Sequence, residues 1–120
     1  MPFEVKEVDK TFYNKHLAGF LPQRMIDIHA HVWLKTCLKE TSMEARGPQW
    51  SKRVAAEDSI EDLLNTYRLM FPQQQVTPLI FGWPWPGVIL EQTNGYVSQT
   101  ARQHNLPSLM HGMFRSPLLG

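Results

Sequence analysis

Met25-Ile26-Asp27-Ile28-His29-Ala30-His31-Val32-Trp33 is the stretch on which the fold turns. Apolar and polar residues alternate around its two isoleucines, the period-two signature of a strand. Strict alternation puts Ile26, Ile28 and Ala30 on one face and Asp27, His29 and His31 on the other. An acid and two imidazoles stand where an ordinary solvated sheet face would carry Thr or Lys, so the polar face is the first place to look for chemistry.

Upstream, residues 9–21 predict a short amphipathic helix. Asp9 is placed to cap it, Phe12, His16, Leu17 and Phe20 share a face, and Pro22 stops it. Downstream, Leu34 to Glu57 loses periodicity and gains charge around Gly47-Pro48, the character of a long surface loop. Helix signals return at Asp58-Ser59-Ile60-Glu61-Asp62, where either Asp58 with Glu61 or Ser59 with Asp62 fits a capping box. Ile60, Leu63, Leu64, Tyr67 and Phe71 then form an i, i+3, i+4, i+7 stripe that Pro72 ends. Val76 to Trp83 is a nearly continuous apolar run, as in a strand buried on both faces. Trp83-Pro84-Trp85-Pro86-Gly87 reads as a rigid turn. A third helix follows over about 88–104, with Leu90, Val97, Ala101 and His104 inward, and Ser108 to Phe114 reads as a third strand.

Alternation of this kind predicts an α/β fold built from right-handed βαβ units around a parallel sheet. Three strands with two crossover helices leave a bare sheet edge, whereas a closed eight-stranded barrel of this type takes about 250 residues. The expectation is an N-terminal part of such a barrel, about three βα units, or a chain completed by another chain.

Composition narrows the function classes. Twelve basic and 11 acidic side chains give a net charge of +1, without the basic excess of a nucleic-acid or membrane-surface binder. The apolar fraction is 42%, or about 48% with the seven glycines, as in an ordinary globular domain. No apolar run reaches membrane-spanning length, the N-terminus has no secretory core, and the single cysteine, Cys37, excludes an internal disulfide. A soluble cytoplasmic protein with a small-molecule substrate is the expectation, with no nucleic-acid or membrane partner.

Two histidines at i and i+2 on a strand can approach one ion from the same side, and the C-terminal end of a parallel strand is where ligand sites form. Asp27 on the same face is placed to orient a ligand from behind. The alternative is a packed or hydrogen-bonded histidine pair without metal, with Asp27 a structural acceptor. Trp33, Trp83 and Trp85 follow strands and are placed either to wall a substrate pocket or to cap the core. His111 has two readings, toward the site or toward a neighbouring helix or backbone carbonyl. His16 and His104 read as partly buried helix residues, and Cys37 as an inert or oxidisable thiol.

The Asp27-x-His29-x-His31 strand resembles the first-strand signature of the amidohydrolase superfamily. Phe12-Tyr13 through Phe20-Leu21-Pro22 is similar to the lead-in helix of its amidohydrolase-related branch. Asn94-Gly95-Tyr96-Val97, Gln103-His104-Asn105 and Gly112-Met113-Phe114 to Pro117 resemble that branch's second helix and third strand. The resemblance implies a (β/α)8 TIM-barrel metal-dependent hydrolase with one or two divalent ions, usually zinc, for which His29 and His31 match the first two ligands. Members draw further histidines and an aspartate, the general base, from later strands, which in this chain would lie downstream of Gly120. A decarboxylase or a sugar-acid isomerase of the same superfamily fits the retained residues equally. A reading of another class is a non-catalytic truncated remnant, or a partner-dependent module that oligomerises through its uncovered sheet edge.

Overall fold

The computed structural model describes residues 3–37, 57–83 and 88–112. Helix α1 (Glu7–Phe12) runs into a single π turn (Tyr13–Leu17) and is followed by strand β1 (Arg24–His31) and a 3-10 turn (Lys35–Cys37). Helix α2 (Ile60–Met70), strand β2 (Gln75–Phe81) and helix α3 (Leu90–His104) follow among the described residues. The two strands pair in parallel, with Arg24 opposite Gln75 and His31 opposite Phe81. The α/β alternation is therefore present.

The third strand expected over Ser108–Phe114 is reduced, among the described residues, to one parallel bridge between Ser108 and Ile80. Ile80 N–H donates to the Pro107 carbonyl at 3.1 Å, and Leu109 N–H to the Ile80 carbonyl at 2.9 Å. Met113 and Phe114 lie outside the described residues, as do positions 38–56 of the long loop and the 84–87 turn. β2 is thus flanked by β1 on one side and the 107–109 segment on the other.

Identifiable groups set several of the helix ends. α1 begins two residues before the expected position, and Asp9 accepts the Lys6 N–H at 3.2 Å from inside the first turn rather than capping it. The π turn, closed by Ala18 N–H on the Tyr13 carbonyl at 2.8 Å, inserts a residue into the helical phase. Tyr13 becomes the buried residue while Phe12 and Phe20 face solvent, overturning the expected Phe12–His16–Leu17–Phe20 stripe. Tyr13 docks this lead-in on the turn after α2, bonded to the Gln74 side chain and accepting Gln73 N–H at 3.1 Å. Of the two caps open to α2, Ser59 is the one used, its hydroxyl accepting Asp62 N–H at 3.2 Å. The adjacent Ile60 N–H is satisfied from α3 by the Tyr96 hydroxyl at 2.9 Å. α3 ends on Asn105 in the left-handed region, φ 54°, a conformation Asn adopts more readily than most residues. Its inner face carries Thr93, Val97, Thr100 and Ala101; His104, expected inward, is exposed.

Among the described residues one cluster forms the core: Ala30, Val32 and Ile80 from the sheet and its extension, Ile60 from α2, and Val97 and Ala101 from α3. Both crossover helices therefore cover the same side of the sheet. On the other side Ile26 and Ile28 are 71% and 75% exposed.

The facing of β1 departs from strict alternation. Asp27 pairs with Pro78 and Ala30 with Ile80, so Ile28 and His29 together oppose Leu79 in a bulge. Paired residues in a parallel ladder share a face, which places Asp27 with Ala30 on the helix-covered side. Ile26 and His31, paired with Thr77 and Phe81, lie on the open side. The shared face expected for Asp27, His29 and His31 is thus split, and so is that of Ile26 and Ala30. Pro78 has no N–H to give the ladder, and the slip occurs beside it.

Candidate functional site

The bulge and the ladder beyond it bring His29 and His31 together at the C-terminal end of β1. Their Nε2 atoms stand 3.1 Å apart, and the rings meet edge to face with centroids 5.0 Å apart. Phe81, opposite His31 across the ladder, packs beneath both, its centroid 5.4 Å from His29 and 4.4 Å from His31. Among the described residues only His31 is tied by its far nitrogen: Nδ1 lies 3.0 Å from the Gly82 carbonyl. A carbonyl oxygen can only accept, so His31 carries its proton on Nδ1 and, in the neutral ring, presents a lone pair at Nε2. The 3.1 Å contact then requires His29 to be the Nε2–H donor when no ion lies between them.

The donor set suits a divalent ion as far as it goes. Two imidazole nitrogens at Zn–N distances near 2.0–2.1 Å stand about 2.9–3.4 Å apart for coordination angles from square to tetrahedral, and the observed separation falls in that range. A hydrogen bond from the far nitrogen to a carbonyl is the usual support of a ligating histidine. Catalytic zinc takes three protein ligands. Among the described residues no group of three or more His, Cys, Asp or Glu side chains gathers around one point, so His29 and His31 fit as two ligands of a larger set.

Asp27 serves the strand rather than the imidazoles. One carboxylate oxygen accepts the His29 backbone N–H at 3.0 Å, and the other accepts the Tyr67 hydroxyl of α2 at 2.6 Å. It fastens the bulge to the helix layer and so fixes where His29 begins. Burial, then the hydrogen bond to Asp27 and the Asp27 and Asp58 charges, push the Tyr67 phenol well above its ordinary range, which keeps it a donor. Asp58, whose main chain exchanges hydrogen bonds with Trp33 at 2.9 and 3.1 Å, is pushed up to about 6 by burial and, secondarily, by the Asp62 carboxylate.

The aromatic residues divide. Trp33 and Trp83 meet edge to face, centroids 4.8 Å apart, just past the ends of β1 and β2. Trp85 lies outside the described residues. Cys37 is buried, and its carbonyl accepts Ile89 N–H at 2.8 Å, joining the 3-10 turn to the start of α3. His16 is exposed and stacks on Phe12 with centroids 4.7 Å apart, so the partly buried role expected for it does not hold.

His111 lies on a backbone carbonyl, one of the two readings open to it, and the carbonyl is that of Gly82: Nε2 stands 2.7 Å from the oxygen. Asn94 grips the His111 main chain at both ends, donating to its carbonyl at 2.8 Å and accepting its N–H at 3.1 Å. Gly82 itself is hemmed in, because a Cβ there would lie 2.2 Å from the Thr93 Cγ2. Gly82 and Asn94 were not among the candidate site residues of the sequence. Their signals were present but faint: a glycine closing a buried strand, and an asparagine, a middling helix former, in the first turns of a helix.

Comparison of the chain with family models, with curated proteins and with solved structures returned no match. Among the described residues no helix is long and apolar enough to cross a membrane.

Proposed function

We propose that the chain carries part of the active site of a metal-dependent hydrolase of the amidohydrolase type, acting on a small-molecule amide, ester or carboxylate in the cytoplasm. The observation that supports this most is the 3.1 Å convergence of His29 and His31 Nε2, with His31 oriented from behind by the Gly82 carbonyl. His29 and His31 hold the ion, most simply zinc, and Asp27 anchors the strand that presents them. Trp33 and Trp83 stand where a substrate ring or chain would be walled. A divalent ion in such a setting supplies Lewis acidity toward a water and a substrate carbonyl. The remaining ligands and the general base come from outside the described residues, and the sheet is the opening part of a (β/α)8 barrel whose interior is the face carrying Ile26 and His31. Decarboxylation or sugar-acid isomerisation at the same histidines is compatible with these residues.

The test is zinc content. The His29→Ala/His31→Ala double variant is expected to keep its circular dichroism and lose zinc binding. Equal zinc per chain in variant and wild type sinks the assignment.

The bare face favours a second reading, a partner-dependent module. With Ile26 and Ile28 71% and 75% exposed, a second copy is the simplest cover for that side of the sheet. Sedimentation equilibrium separates the two, since the module reading requires a dimer or larger.

A further inference from the structure

The Gly82 carbonyl is approached by two imidazoles from two different elements. His31 Nδ1 is 3.0 Å away and His111 Nε2 2.7 Å away. A carbonyl oxygen has two lone pairs and donates nothing, so both ring nitrogens are N–H donors and the acceptor is saturated. Behind the carbonyl the peptide has little freedom: the Thr93 methyl occupies the space a Gly82 side chain would take. Behind His111 stands Asn94, the next residue on α3, with its two-point grip on the His111 main chain at 2.8 and 3.1 Å. A continuous run of hydrogen bonds therefore leads from the first turns of α3 through His111 and Gly82 to His31.

We infer that His111 is a positioning residue for the metal site: by taking the second lone pair of the Gly82 carbonyl it fixes that peptide, which holds His31 in the Nδ1–H tautomer with Nε2 free to coordinate. The inference rests on the metal reading of the His29–His31 pair. Without His111 the carbonyl loses one of the two donors that orient it, and the His31 ring is free to exchange tautomers or turn. Among the described residues His29 has no such support, and the asymmetry points to His31 as the pre-set ligand. His29 is the one that must move its proton from Nε2 to Nδ1 when an ion enters.

The experiment uses the full chain, with zinc alone as the metal probe, and compares wild type with His111→Phe and His111→Gln. The phenylalanine keeps a ring but has no donor; the glutamine amide restores one. In the metal-free chain, nitrogen-15 shifts are expected to show His31 as a single Nδ1–H tautomer in wild type and His111→Gln, and as a tautomer mixture in His111→Phe. Zinc titration is expected to show weakening of roughly 10- to 100-fold in His111→Phe, as for loss of an outer hydrogen bond to a ligating histidine, with recovery in His111→Gln. A merely structural role predicts loss of melting temperature in proportion and no change of tautomer. An unchanged His31 tautomer and unchanged zinc affinity in folded His111→Phe overturn the inference. Should that variant fail to fold, Asn94→Ala leaves the His111 ring in place but frees its main chain, and is expected to shift both readouts the same way by a smaller factor; no shift overturns the inference equally. Wild-type chain that takes up no zinc, with His31 still dependent on His111, overturns the metal reading and the coordinating role with it, while a tautomer indifferent to His111 overturns the positioning alone.

Discussion

Asp58 is the residue whose charge state the fold alters most usefully for a test. Its value rises from 3.8 to about 6 in the folded chain, burial being the larger cause and Asp62 the smaller. The folded state therefore binds this proton more tightly than the unfolded state. Below about pH 4 the group is protonated in both states and neutral in effect; between about 4 and 6 it becomes destabilising, and it stays so above. Asp58→Asn is expected to remove that slope. The gain is about 1 kcal/mol at pH 7 after allowing for the solvent that screens a half-buried carboxylate, and close to zero at pH 4. Urea unfolding at the two pH values measures it, and an equal difference at both contradicts the assignment. The same residue shows what a sequence discloses and what it withholds. Asp58 and Ser59 were both legible as caps because capping is a local, three-residue geometry. That Ser59 does the capping while Asp58 pairs with Trp33, 25 positions away in the chain, is a long-range fact that no local pattern encodes.

At the scale of elements, α3 packs on the strand end through a position that hydropathy patterning does not mark. Thr93 is buried against Gly82, yet its hydroxyl finds no hydrogen-bond partner among the described residues. A buried hydroxyl without a partner is destabilising, and valine has the same outline without it. Thr93→Val is expected to raise stability by about 1 kcal/mol, read as a higher urea midpoint at unchanged slope. A lower midpoint would mean the hydroxyl has a partner. The inward face of α3 was expected from its apolar residues, and Val97 and Ala101 are indeed buried. Thr93 and Thr100 carry no apolar mark because hydropathy ranks threonine as a surface residue, whereas the compact β-branched shape of Thr93 is what fits beside Gly82. In β1 the loss was of another kind. Period two holds up to Asp27, and the bulge then resets the phase. Pro78 hinted at it from the partner strand, but a missing donor locates a fault in a ladder only once the pairing is known. His29 and His31 survived the reset as a pair, since both lie at or beyond it, whereas Asp27 did not.

At the scale of the whole fold, the described residues are asymmetric about the sheet, with two helices on one side and Ile26 and Ile28 open on the other. Stability should follow that asymmetry. Ile26→Ala is expected to cost less than about 0.5 kcal/mol in the 120-residue chain, and Ile80→Ala about 2–5 kcal/mol because Ile80 is fully buried. A large cost at Ile26 that grows with protein concentration would instead show that a second copy covers the face. The α/β class was readable from the alternation of periods, a property of the whole chain. The extent of the sheet was not, since a third strand predicted from its apolar content forms a single bridge among the described residues. The parallel ladder also has a consequence in time. Arg24 waits for Gln75, a separation of 51 positions by subtraction. At a synthesis rate of roughly 5–20 residues per second, the partner of β1 emerges about 3–10 s after β1 itself. For those seconds the nascent chain displays β1 unpaired, its two isoleucines bare and His31 without the Gly82 carbonyl that orients it, so the histidine pair takes its final arrangement only after β2 has been made.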